Sequence, residues 1–239
     1  MTYSYQGSEL DLFQHAVNWK RYYARRLQPH IKGDVLEVGA GIGATSRFLC
    51  TSEPRSWTCL EPDPTLAGRL ATVLENEPLP VPATVLRGTL ADLPPESRFD
   101  TILYIDVLEH IEDDGAELRQ SAGRLRPGGR IIVLAPAHGW LFSRFDQSIG
   151  HYRRYSAAML ARVTPPQLQL TTAFYMDSVG MLASLANRLL LREAYPTLAQ
   201  VRFWDSTLVR MSRLLDPCAG FRVGKTVIGI FETTATGPA

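Results

Sequence analysis

Three glycines stand at alternate positions in Glu37-Val38-Gly39-Ala40-Gly41-Ile42-Gly43, at the end of the short apolar run Asp34–Val38. Glycine tolerates backbone angles that other residues resist, and lets a ligand approach the main chain closely. A helix that starts after such a turn offers free N–H groups to a polar ligand. Dinucleotide-binding folds use a related turn, so the glycines alone leave the ligand open. Roughly twenty residues on, Glu61 ends a second apolar run, where a carboxylate can accept both hydroxyls of a ribose. Pro62-Asp63-Pro64 then keeps the chain out of helical geometry. Loop and acid together imply an adenosine-containing ligand.

Positioning such residues requires a particular alternation of elements. Strands are predicted at 34–38, 57–60, 84–87, 100–105 and 130–135, most of them apolar on both faces, as strands covered by helices should be. Between them the apolar spacing becomes helical, as in Leu66, Leu70, Val73 and Leu74 of the stretch 63–75. Residues 44–50 read as a helix. Asp113 or Asp114 can cap another that runs to about residue 126 and stops at Pro127-Gly128-Gly129. Strand and helix in alternation specify an α/β fold with a doubly wound, mostly parallel sheet. Beyond Pro136 the rhythm changes. A long loop over 138–155 carries aromatics and bases, Ser156 caps a short helix ending before Pro165-Pro166, and strands follow at 169–176 and 226–233. The Leu-, Met- and Arg-rich segment 179–216 between them is expected to form a helical cap over the carboxyl edge of the sheet. Residues 10–27 read as one further amphipathic helix.

The composition suits one globular domain: 239 residues, 45% apolar and 21% charged. A net charge of +1 gives no global pull toward nucleic acid or acidic membranes. The three cysteines, Cys50, Cys59 and Cys218, lack metal-ligand spacing and fit a reduced, cytoplasmic protein. No signal peptide is expected from residues 1–14, and apolar stretches are interrupted, as at Asn187-Arg188, so no spanning helix is expected either. No metal site is expected: Asp106, Glu109 and His110 are close in sequence but should diverge on a turn entering a helix.

Val35-Leu36-Glu37-Val38-Gly39-Ala40-Gly41-Ile42-Gly43 resembles the first motif of class I S-adenosylmethionine-dependent methyltransferases. The resemblance continues, in order, through Leu60-Glu61-Pro62, Gly88-Thr89-Leu90-Ala91-Asp92-Leu93, Phe99-Asp100-Thr101-Ile102-Leu103, Asp106-Val107-Leu108-Glu109-His110-Ile111 and Leu125-Arg126-Pro127-Gly128-Gly129. It implies a Rossmann-like, seven-stranded, mostly parallel sheet with an added helical cap, in one methyltransferase domain. Within it, residues 1–32 form an N-terminal helical segment and 33–137 the cofactor-binding core. Residues 138–222 carry the substrate loop and cap with the sixth strand, and 223–239 the last strand and tail. By the resemblance, Glu37, Gly39, Ala40, Gly41 and Gly43 border the methionine part of S-adenosylmethionine, Glu61 with Pro62 holds the ribose, and Thr89 and Leu90 flank the adenine. Ile105 and Asp106 lie beside the sulfonium. Many relatives carry an acid where Thr89 stands, so the adenine amino group would be met by backbone or by Asp92. His110 could act as a base, although in this family that position more often starts a helix and is structural.

The segment Phe145-Asp146-Gln147-Ser148-Ile149-Gly150-His151-Tyr152-Arg153-Arg154-Tyr155 is similar to one found in a bacterial methyltransferase subgroup with a helical insertion before the last strand. It follows the fifth strand and so lies at the sheet edge where open α/β folds bind ligands. Arg153 and Arg154 could pair a carboxylate or phosphate of a substrate, with Tyr152 and Tyr155 beside them, or could instead pair with Asp146 and nearby acids. His151, His138 and Asp106 are the candidates to take a proton. The leading expectation is a methyltransferase acting on a small molecule, such as a secondary metabolite or a glycosylated or lipid-linked precursor. No nucleic-acid partner is expected; membrane or lipid contact and a monomer or homodimer are all compatible. Two alternatives are an S-adenosylmethionine-binding protein that catalyses another reaction or serves as a binding module, and a nicotinamide oxidoreductase.

Overall fold

The computed structural model of the chain describes residues 9–186 and 195–234. The Asn187-Arg188 interruption and most of the N-terminal stretch considered above lie outside the described residues. The strands are β1 (Asp34–Val38), β2 (Ser56–Glu61), β3 (Ala83–Arg87), β4 (Phe99–Ile105), β5 (Leu125–Pro136), β6 (Leu168–Met176) and β7 (Thr226–Thr233). They form one seven-stranded sheet in the order β3-β2-β1-β4-β5-β7-β6. Neighbours from β3 to β5 run parallel, whereas β7 is antiparallel to both β5 and β6.

Alternate side chains of the central strands enter two cores, one on each face. Val35, Leu103, Ile132 and Leu134 join one cluster with Trp57 and the aromatics Trp19, Tyr22 and Tyr23. Leu36, Ile102, Tyr104, Ile131 and Val133 join the other with Leu118, Tyr155 and Leu160. Burial on both faces is what a continuous apolar strand pattern demands.

The helices are α1 (Glu9–Phe13), α2 (Val17–Leu27), α3 (Ser46–Leu49), α4 (Pro64–Asn76), α5 (Asp114–Ala122), α6 (Arg144–Ser148), α7 (Ala157–Val163), α8 (Ser178–Ala186), α9 (Leu198–Phe203) and α10 (Val209–Cys218), with a π-helical turn, Trp204–Leu208, joining the last two. Asp63, Asp113 and Ser156 cap α4, α5 and α7 through side-chain oxygens. Three boundaries depart from the sequence pattern. The single helix expected over 10–27 is broken before α2, because the Asp205 carboxylate accepts the Asn18 and Trp19 N–H groups and caps α2 from the far side of the chain. The helix expected to reach residue 126 ends at Ala122. Pro127-Gly128-Gly129 then lies inside β5, where the pairing with β4 skips from Leu125 to Arg130, since proline cannot donate to the ladder. Only Ser46–Leu49 of 44–50 is helical, because the glycine turn extends into it.

Two wholly buried carboxylates tie the insertion to the sheet. Asp177, at the end of β6, caps α8 through Gly180 N–H and also accepts from Ser212 Oγ (2.7 Å) and Trp204 Nε1 (2.7 Å), with Lys225 Nζ at 3.4 Å. Asp216, in the last turn of α10, accepts from Tyr22 Oη (2.9 Å), the Asp177 N–H (2.8 Å) and both the N–H and hydroxyl of Ser178. Asp216→Ala strands these donors in the interior and is expected to cost roughly 3 kcal/mol or more of stability. Urea denaturation monitored by tryptophan fluorescence measures the loss.

Candidate active site

The carboxyl ends of β1, β2 and β4 open into a cavity of about 1280 Å³. Its floor is the glycine turn, and its far wall comes from α8, α9 and the π-helical turn through residues such as Gly180, Val201 and Trp204. Trp19, Lys20 and Tyr23 of α2 form one side.

The turn is built for close approach. Gly39, Gly41 and Gly43 all have positive φ (65°, 57° and 75°), and a Cβ on Gly39 would stand 2.7 Å from the Val107 side chain. Glu61 is 4% exposed and lines the cavity. Its Oε2 accepts the Gly41 N–H at 2.8 Å and its Oε1 the Asp63 N–H at 2.9 Å. Each oxygen keeps a lone pair for a further donor. Burial raises its pKa, while those two N–H bonds oppose the rise. Glu37 is buried beneath the turn; its Oε2 accepts from Ser46 Oγ (2.6 Å) and Trp57 Nε1 (2.8 Å).

The cavity is lined by Glu37, Gly39, Ala40, Gly41, Glu61, Pro62, Thr89, Leu90, Ile105 and Asp106, whereas Gly43 turns its Cα toward Leu70 of α4. The Thr89 N–H and hydroxyl both donate to Asp92, which lies outside the lining. Asp106 ends β4 with φ at 55°, a left-handed angle rare for a non-glycine residue. Its side chain is exposed to the open cavity, and the protein mass around it pushes its pKa up to about 6 against the pull of His151, Lys20 and Lys225. Lys20, on the facing helix, is brought down to about 8 by burial, with Asp106 and Asp205 opposing the drop.

The loop after β5 divides its residues. His151 and Arg154 line the cavity. Arg154 grips Asp146 through Nε (2.8 Å) and Nη2 (2.9 Å), and His151 Nδ1 lies 2.9 Å from the same carboxylate. Arg153 instead pairs Asp114 at 2.6 Å, and the buried Tyr155 hydroxyl donates to that carboxylate at 2.7 Å. Tyr152 is 53% exposed. Arg153 and Tyr155 fasten the loop to the start of α5, and all three residues stand outside the cavity lining. His138 also lies outside it, stacked on Tyr175 with ring centroids 5.1 Å apart.

The expected divergence of Glu109 and His110 does not occur. Val107 is followed by a tight 3₁₀ turn, Leu108–His110, and His151 arrives from the loop, so that one ligand-type atom each of Glu109, His110 and His151 lies within 4.8 Å of the others. Lys20, Glu109, Asp146 and Lys225 were not singled out as site residues by sequence. Lys20 sits in an aromatic helix and Lys225 in a loop before β7, and neither position carries a motif. Asp146 had a local sign, three residues after Ser143 in a capping box.

Burial pushes the Glu37 carboxyl up from its ordinary 4.5 to about 7, against the hydrogen bonds from Ser46 and Trp57. The folded chain therefore holds a proton there that the unfolded chain has released between those two values. The associated stability is fully present below about pH 4.5 and is lost as pH rises through about 7. Relative to wild type, Glu37→Gln should remove a decline of about 3 kcal/mol between pH 4.5 and 8, visible in paired urea titrations.

Residues 36–131 match the family model described as "Methyltransferase domain". The chain is 29% identical over 127 residues to the demethylmenaquinone methyltransferase of Tropheryma whipplei (strain Twist), covering 53% of this chain and 51% of that protein. It is 30% identical over 107 residues to the ubiquinone biosynthesis O-methyltransferase of Bradyrhizobium sp. (strain ORS 278), covering 44% and 41%. The chain thus matches about half the length of these curated relatives. In fold it is similar to a putative sarcosine dimethylglycine methyltransferase from Galdieria sulphuraria, with a TM-score of 0.59, 17% identity and coverage of 92% of this chain and 85% of that one. It is also similar to the N-methyltransferase NodS from Bradyrhizobium japonicum WM9 in complex with S-adenosyl-L-homocysteine, with a TM-score of 0.57, 12% identity and coverage of 92% and 88%. With its motifs in order and the glycine turn and Glu61 on one cavity, the stretch 36–131 is thus similar to the methyltransferase domain of class I S-adenosylmethionine-dependent methyltransferases.

Proposed function

We propose that this protein transfers a methyl group from S-adenosylmethionine to a small molecule held under the helical insertion. The observation that carries this reading is the single cavity running from the glycine turn to the insertion. At about 1280 Å³ it exceeds the usual ~300–1,000 Å³ of a single small-molecule site. Room therefore remains beside a cofactor for an acceptor.

The cradle fits the cofactor. Glu61 would receive the ribose hydroxyls, Gly39, Ala40 and Gly41 would border the methionine portion with Glu37 beneath them, and Leu90 would cover the adenine. S-adenosylmethionine supplies, when bound, an electrophilic methyl carbon on a sulfonium. The chain supplies orientation and exclusion of water. Trp19 and Tyr23 wall the cavity on one side and Phe145 and Trp204 on others, leaving an apolar chamber for the acceptor. Asp106 and His151 face this chamber and could hold a proton from an acidic acceptor; a good nucleophile needs neither. The quinone-ring relatives named above support a small, largely apolar acceptor. Among the acceptors expected from sequence (a secondary metabolite or a glycosylated or lipid-linked precursor), a lipid-linked one shares that apolar character. No helix among the described residues is long and apolar enough to cross a membrane.

Incubation with methyl-labelled S-adenosylmethionine and a panel of phenolic, amine and lipid-linked acceptors should yield S-adenosylhomocysteine and a labelled product. Cofactor binding without S-adenosylhomocysteine from any acceptor class would favour the reading of a binding module or of another reaction. Glu61→Ala should weaken cofactor binding by ~1–3 kcal/mol through loss of charge-assisted hydrogen bonds. Calorimetric titration of the folded variant checks this, and an unchanged affinity refutes the ribose assignment.

A further inference from the structure

Glu109 carries no exposed surface, and neither of its carboxylate oxygens has a hydrogen-bond partner among the described residues. Buried carboxylates are almost always paired, and leaving one bare is costly. What faces this group is a pair of imidazoles. His151 Nε2 stands 3.8 Å from Glu109 Oε1, too far for a hydrogen bond but suited to two donors on one ion at a wide angle. The His110 and His151 rings meet edge to face with centroids 4.5 Å apart.

The surroundings prepare both imidazoles as ligands. Asp146 accepts from Arg154 Nε and Nη2 and from the Ser143 N–H and hydroxyl, so it is surrounded by donors. A carboxylate so engaged accepts from His151 Nδ1–H, which leaves Nε2 of the neutral imidazole to face Glu109 with its lone pair. His110 bonds the Gly150 backbone through its ring, which fixes that ring as well. A carboxylate behind an imidazole that points its other nitrogen at a shared centre is the usual outer shell of a metal-bound histidine.

We propose that Glu109, His110 and His151 form a binding site for one divalent transition-metal cation, open to the cavity, which holds an acceptor oxygen of the substrate. Modest rotation of the three side chains brings their donors from the 4.8 Å envelope to the ~2.0–2.2 Å bonds of a nitrogen- and oxygen-ligated ion. Two imidazoles and one carboxylate suit zinc, manganese or iron better than magnesium or calcium, which prefer an all-oxygen shell. All three residues line the same cavity as Asp106 and Glu61, so coordination positions not taken by protein open toward the substrate chamber. The substrate clause, an acceptor with a hydroxyl or phenolic oxygen able to ligate the ion, rests on the methyl-transfer reading. The cation site does not.

The full-length chain, stripped with chelator, is loaded with Zn²⁺ or Mn²⁺, freed of excess metal and assayed by elemental analysis, with Mn²⁺ binding followed also by electron paramagnetic resonance. Wild type should retain one equivalent. Glu109→Gln and His151→Asn should each bind at least tenfold more weakly, and Asp146→Asn, which acts only by positioning His151, ~10–100-fold more weakly. A wild-type chain that retains neither metal overturns the site, as does full retention in both ligand variants. Wild type alone decides the first point, so a variant that fails to fold does not blunt the test. Cation retention without any affinity for S-adenosylmethionine would sink the cofactor reading and leave the cation site standing. Cation-independent transfer to hydroxyl acceptors would sink the substrate clause.

Discussion

Asp177 and Asp216 lie back to back under the insertion, and nearly everything above the sheet hangs on the donors they collect. Asp216 receives the Tyr22 hydroxyl of the N-terminal helix and two main-chain N–H groups at the start of α8, while Asp177 receives Trp204, Ser212 and the start of α8 again. An ionised carboxylate in the interior is tolerable only with such a set of donors, and the set comes from four separate stretches of chain. Asp205 repeats the device by capping α2. Each wall of the cavity is therefore positioned by a polar contact with a part of the chain remote in sequence, and the apolar packing fills in around these contacts.

The cavity also gathers charged groups on its walls. Lys20, Asp106, Glu109, His151, Arg154 and Lys225 all border it. Burial acts on these groups in opposite directions, raising the acids and lowering Lys20 and Lys225, so it draws their protonation states toward the middle of the pH scale. Asp106 and Lys20 each oppose the other's shift. Sites that manage proton position need groups poised in this range.

The sheet was legible from sequence because its signals are local. Apolar runs at strand length, the glycine turn and Glu61 sit in one stretch of chain, and β7 was bounded at Thr226 and Thr233 by alternation alone. The break between α1 and α2 was not legible, because its cause is Asp205, almost two hundred residues away. The Pro-Gly-Gly segment reads locally as a stop, yet the pairing of β5 with β4 on both sides of it makes it a bulge. The loop 138–155 shows the same limit more sharply. Its motif announced basic and aromatic residues, but which of them face the cavity depends on whether Asp114 or Asp146 claims the neighbouring arginine. Glu109 and His110 were visible as a motif, whereas their convergence with His151 depends on how the loop returns across the sheet edge.

The placement of β7 also governs the order in which the molecule can assemble. Among the described residues β6 touches the sheet only through β7, and β7 is the last strand. Until it is in place, β5 presents an open edge and β6 has no ladder. Lys225, one residue before this strand, closes the far wall of the chamber. A chain synthesised through β5 can thus complete the glycine turn and the parallel half of the sheet, but not the chamber. Contacts of such long sequence separation make closure of the substrate side a late and slow event in folding.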